Sequence, residues 1–260
     1  MADPSAAADR LEPWVYGGLL AALVAAAWVA LGLVGASSVA PRLSHATLGE
    51  PGGLTPAGIA IFVAGWTLMS VAMMLPTAFP LVQVFLTITS RSAVLLAWLC
   101  AAYLGVWALF GVAAVCVDAV LHRVLGDPAG LATASARLPG ALLLGAGLFQ
   151  FSPLKYACMR ECRSPVGFVV QHWRGGSRVG RALRLGALHG LYCVGCCWAL
   201  MLLMFAVGGV HLGWMLGLAG VMFVEKTLPW GRRVTWATGV ALSVWGVALL
   251  AAVPGVPRPF

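Results

Sequence analysis

Residues 183–209, LRLGALHGLYCVGCCWALMLLMFAVGG, contain one Arg and one His, and every other position is apolar, aromatic or glycine. A helix of that length rises about 40 Å, more than the roughly 30 Å of a bilayer's hydrocarbon core. The stretch predicts a membrane-spanning helix, and the rest of the chain has the same character. Of 260 residues, 61% are apolar and 9% charged, with a mean hydropathy of +0.94. Soluble domains are about half apolar and a quarter charged. So little charge cannot solvate an ordinary globular enzyme, and lipid must be the solvent for most of the chain.

Apolar runs of spanning length occur at 14–36, 57–89, 93–121, 132–152, 183–209, 212–228 and 234–253, with the sixth the shortest. The breaks carry turn residues: Pro41 to Pro56 with Pro51, Gly52 and Gly53, then Gly126-Asp127-Pro128, then Gly208-Gly209. The expected fold is all-α, a polytopic transmembrane bundle of about seven helices. It comprises a tail (1–13), a single helical domain (14–253) with a basic cytoplasmic loop (153–182), and a C-terminal tail (254–260). Sixteen Lys and Arg face eight Asp and Glu, and seven of the cations lie between Lys155 and Arg184. Twelve cations fall on the side of that loop and four on the other, which orients the chain N-in and places it in a cell (inner, cytoplasmic) membrane as a multi-pass protein. The basic loop, with Phe168, Val169 and Trp173 among its cations, reads as a segment lying on anionic headgroups, so the bilayer rather than nucleic acid is the partner of the positive charge. Asp3, Asp9 and Glu12 beside Arg10 argue against a signal peptide, and no internal repeat is visible.

Seven cysteines, all in or beside apolar runs, point to thiol or metal chemistry rather than to a disulfide framework. In 189–204, HGLYCVGCCWALMLLM, the residues His189, Cys193, Cys196, Cys197, Met201 and Met204 share one broad helical face. Counted from Arg184, the cysteines reach about 13 to 20 Å into the bilayer. In WTLMSVAMMLP, Met69, Met73 and Met74 reach a similar depth from the opposite side, just before the helix-breaking Pro76 and Pro80. Thiolate and thioether donors select Cu(I), with zinc and an iron–sulfur cluster behind it. The candidate ligands are therefore Cys193, Cys196, Cys197, His189, Met69, Met73, Met74 and Met201.

A second group stands at the membrane edge: Gln150, Lys155, Cys158, Arg160, Cys162, Arg163, Glu225 and Lys226. If PLKYACMREC is helical, Cys158 and Cys162 share a face, and Lys155 and Arg163 beside them are expected to favour thiolates. Cys158, Cys162, Lys155, Arg163 and Glu225 thus form a candidate metal-uptake or thiol site. Cys100 and Cys116 read as packing residues. His45, His122, Asp118 and Asp127 lie on separate elements, while His211 and Met215 could extend a relay toward Met204.

The segments WTLMSVAMMLPTAFP (66–80), FQFSPLKYACMRECRSP (149–165), GLYCVGCCWALMLL (190–203) and MFVEKTLPWG (222–231) together resemble a bacterial family of uncharacterised polytopic proteins described as predicted metal-binding integral membrane proteins. The resemblance covers about residues 60–250 and implies metal binding without naming the metal. On these grounds the chain is expected to bind Cu(I) within its helix bundle for copper transfer, storage or supply to a partner, a membrane metalloenzyme complex or a metal carrier protein. It reads as a binding protein rather than an enzyme by itself. Two other readings stay open: a membrane thiol–disulfide oxidoreductase, and a structural subunit of a larger membrane complex.

Overall fold

The computed structural model describes residues 13–37, 55–124, 128–207 and 211–251. They form nine helices and no strand: α1 (Pro13–Gly35), α2 (Pro56–Ile88), α3 (Ala93–Val124), α4 (Pro128–Phe149), α5 (Pro153–Cys162), α6 (Pro165–His172), α7 (Arg178–Val207), α8 (Leu212–Thr227) and α9 (Gly231–Leu250). Helix starts follow local chemistry. Thr55 accepts a hydrogen bond from Gly58 N ahead of Pro56, and Ser152 accepts one from Lys155 N ahead of Pro153. In each case a hydroxyl cap precedes a proline at the first helical position, where its missing N–H is not needed.

Helix α7 is the hub, packing against α3, α4 and α5, while α9 lies along α4 and α1 along α2. Close approach between α3 and α7 depends on glycine. A Cβ at Gly186 would stand 2.2 Å from the Leu99 carbonyl oxygen, and one at Gly190 would stand 3.2 Å from that of Tyr103. Small residues at such crossings let membrane helices pack backbone to backbone. Gly186→Val should therefore cost about 3 kcal/mol or more, because the clash is with backbone that cannot rotate away. Thermal unfolding of the detergent-purified protein measures it.

Among the described residues, five helices are long and apolar enough to cross a membrane, over Val15–Gly35, Pro56–Ile88, Ala93–Val120, Arg178–Met204 and Gly231–Leu250. They are compatible with a membrane protein but fall short of the seven spans expected. Helix α8, where 212–228 was expected to span, has 16 residues. That length rises about 24 Å, less than the bilayer core.

The 153–182 stretch folds into α5 and α6 and the start of α7, and the short helices turn one face inward. Lys155, Met159 and Cys162 of α5 are buried, as are Phe168 and Val169 of α6. The prolines of α2 leave it a continuous helix. Nearby, the Met74 carbonyl accepts hydrogen bonds from Thr77 Oγ1 (2.8 Å) and the Tyr103 hydroxyl (3.2 Å). The expected tails, the Pro51-Gly52-Gly53 and Gly208-Gly209 breaks, His45 and Asp127, and the side chain of His122, lie outside the described residues.

Candidate metal centre

Cys193, Cys196, Cys197 and Met201 of α7 are all buried, each no more than 1% exposed. They meet α5, whose inward face brings two further sulfurs. Cys162 Sγ lies 4.0 Å from Cys196 Sγ, and Cys196 Sγ lies 3.5 Å from Cys197 Sγ. Cys158 lies over Gly195, where an added Cβ would come within 2.6 Å of its sulfur. The glycine inside the CVGCC string is the socket for a cysteine of the neighbouring helix. The two cysteine groups that look separate in sequence thus meet as one cysteine cluster at the α5–α7 interface, with Cys162, Cys196 and Cys197 joined sulfur to sulfur.

Charge surrounds this cluster. Lys155 Nζ donates to Glu225 Oε2 at 2.7 Å and to the Cys196 carbonyl at 3.2 Å. Arg163 donates through Nη1 to the Glu225 carbonyl (2.6 Å) and through Nη2 to the Leu228 carbonyl (2.8 Å), closing the C-terminal end of α8. Lys226 Nζ donates to Cys193 Sγ at 2.9 Å and to Thr77 Oγ1 at 3.3 Å. Of these two acceptors only the sulfur can carry a compensating negative charge. Of the three cations, only Lys155 bonds the Glu225 carboxylate, and because an unpaired buried charge is costly, the Lys226 ammonium depends on the sulfur beside it. The Tyr103 hydroxyl stands 3.0 Å from Cys193 Sγ on the other side.

The methionines expected from sequence lie in the same core. Met69, Met73 and Met74 of α2 belong to one contiguous buried cluster with Cys162, Cys193, Cys196, Cys197 and Met201, joined by Met159, Met204, Met215 and Met222. His189 is placed differently. It is buried one turn before Cys193 and stacks on Tyr103, with ring centroids 5.7 Å apart, and its Nδ1 has no hydrogen-bond partner. Such a buried, unsatisfied group costs about 1–3 kcal/mol. Glu225 Oε1 and both amide atoms of Gln150 are likewise buried without a partner. Among the described residues, no three His, Cys, Asp or Glu side chains stand together as a ready-made metal site. The cysteine sulfurs are adjacent in pairs, and a shared ion would require side-chain rotation.

The expectation that Lys155 and Arg163 favour a Cys158 thiolate does not hold. Both cations are committed to Glu225 and the α8 carbonyls, and burial raises the Cys158 thiol above its ordinary pKa, with the charges of Cys197 and Glu161 adding to the effect. Since the thiolate is the nucleophile, alkylation of Cys158 in the metal-free protein should be slower at pH 7 than that of an unstructured cysteine, and should still be climbing at pH 9. Mass-spectrometric alkylation rates across that range check this. Tyr103 and Thr77 escaped the sequence reading. A lone Tyr in the apolar run AAYLGVW is a signal in itself, because a buried phenol needs a partner. Cys116 and His211 are exposed, and Asp118 is half-buried, away from this cluster.

A family model described as PpoB2, copper chaperone, matches residues 63–249. That range holds every sulfur and charged side chain of the cluster and leaves α1 outside. No curated protein and no solved structure matches the chain.

Proposed function

The chain belongs to the PpoB2 copper chaperone family, and on that premise we propose that it is a multi-pass membrane protein that carries Cu(I) on the sulfurs at the α5–α7 interface and passes it to a partner. The partner is a membrane metalloenzyme or a metal carrier protein. The observation that carries this reading is the run of sulfurs Cys162, Cys196 and Cys197, at 4.0 and 3.5 Å, beside Cys193 and its ammonium partner. Two sulfurs each about 2.3 Å from one ion lie about 4.0 Å apart in a trigonal site. Soft donors in a dry core suit Cu(I), and the copper carried is cargo. Met69, Met73, Met74 and Met201 supply thioethers from the surrounding wall, while Lys155, Arg163 and Glu225 fix α5 and α8 around the cluster. The charge asymmetry supports an N-in orientation in the inner membrane, which a reporter fused within 164–180 tests by its cytoplasmic activity.

Competition between the detergent-purified protein and a chromogenic Cu(I) chelator tests the function. The protein should withdraw copper from the chelator. Failure to do so at any ratio would remove copper binding as its role. Met73→Leu preserves volume and apolarity, so stability should change by less than about 1.5 kcal/mol. Its copper affinity in the same competition should fall on the order of tenfold.

The rival reading, a thiol–disulfide oxidoreductase, draws on the same 4.0 Å pair, since Cys162 and Cys196 are free thiols near enough to join. It requires a quinone or carrier disulfide as electron acceptor, and predicts that thiol exchange rather than copper content disappears when Cys162 is changed to Ser.

A further inference from the structure

We propose a second Cu(I) site, one helical turn from the cysteine cluster, formed by His189 Nδ1 on α7 and Cys100 Sγ on α3. The proposal rests on the copper reading above and adds a site to it. Both side chains line one narrow cleft between α2, α3 and α7, walled by Leu75, Leu99 and Tyr103 and too tight for a water molecule. His189 is 3% exposed, and its Nδ1 has no hydrogen-bond partner. The Tyr103 ring on one side and the edge of Phe168 on the other, with centroids 5.7 and 5.5 Å away, hold the imidazole but give that nitrogen nothing to bond. Solvent cannot satisfy it in such a cleft, whereas a two-coordinate ion needs no more room than the gap between its donors.

The helix crossing explains why the two donors share this space. Gly186 and Gly190 flank His189 and bring α7 against the backbone of Leu99 and Tyr103, which flank Cys100. Imidazole and thiolate together are a ligand set for a soft monovalent ion, and in the apolar cleft no carboxylate competes to hold a harder one. On binding, the Cys100 S–H bond is replaced by an S–Cu bond, the displaced proton is released to the buffer, and the metal remains Cu(I) throughout.

Its position gives the site a use. His189 and Cys193 are four residues apart on α7, a rise of about 6 Å, and Tyr103 touches both, stacking on one and placing its hydroxyl 3.0 Å from the other's sulfur. Copper at His189 and Cys100 is therefore a neighbouring station from which an ion passes to Cys193 by exchange of one donor for the next, without release into lipid.

The test is Cu(I) titration of the detergent-purified full chain against a chromogenic chelator, counting ions bound per protein, with X-ray absorption on samples loaded beyond the cluster. Wild type should bind an additional ion whose first shell contains one nitrogen. Cys100→Ser, His189→Phe and the double variant should each bind one ion fewer than wild type and lack that nitrogen. Cys100→Ser is nearly isosteric, so its result stands even if His189→Phe does not fold. Full capacity in Cys100→Ser, or in a folded His189→Phe, overturns the second site. So does a folded His189→Phe that loses all its copper, because His189 would then belong to the cluster. A wild-type protein that binds no copper instead removes the reading on which the proposal rests.

Discussion

Changing Cys193, Cys196 and Cys197 together to Ser should abolish copper binding at the cluster, the largest functional effect expected of any change in this chain. The three supply the buried face of α7, and without them Cys162 and Cys158 keep no thiol partner across the helix interface. Serine hydroxyls are hard, weak donors that do not replace thiolates for Cu(I). Elemental analysis of wild type and variant after identical loading reads the result. Buried hydroxyls carry their own cost, so the Ala triple variant serves as a parallel sample, and both should elute as folded protein holding no more than the single ion of the His189 and Cys100 site. Full copper capacity in either would move the site elsewhere.

The largest loss of stability should come from Glu225→Ala. Lys155 and Glu225 are each 1% exposed and joined at 2.7 Å, so solvent neither screens the pair nor replaces it. Removing the carboxylate strands the ammonium inside the bundle and should cost about 3–5 kcal/mol, whereas replacing both partners by apolar residues is often neutral. The Lys155→Met, Glu225→Leu double variant should accordingly recover most of the loss. Thermal unfolding in detergent of the two single variants, the double variant and wild type measures the coupling. Equal losses in the single and double variants would show that the ion pair is not what holds α5 to α8.

The parts of this centre written as a period were legible in the sequence. The α7 sulfurs recur with helical spacing, and the methionines before Pro76 stand one turn apart, so each face could be read from its own segment. The α5 helix entered only as a condition, on which Cys158 and Cys162 would share a face. Its insertion was not legible, because a segment carrying Lys155, Arg160, Glu161 and Arg163 has the composition of an exposed one. Only the partners, Glu225 at 70 residues' remove and the Cys196 carbonyl, make the burial of Lys155 tolerable. The pairing of Lys226 with Cys193 and the seat of Cys158 on Gly195 are likewise tertiary facts without a local signature. The span count erred for a simpler reason. Hydropathy registers that α8 is apolar, yet a helix of 16 residues is too short to cross.

Copper K-edge X-ray absorption on the full-length protein loaded with a single equivalent of Cu(I) tests the central claim most directly. The cluster, with more thiols than the His189 and Cys100 pair, should fill first. A first shell of sulfur alone, at about 2.3 Å, is the predicted result, and it should vanish in the triple variant. A first shell dominated by nitrogen or oxygen, or one unchanged when Cys193, Cys196 and Cys197 are removed, would contradict the account.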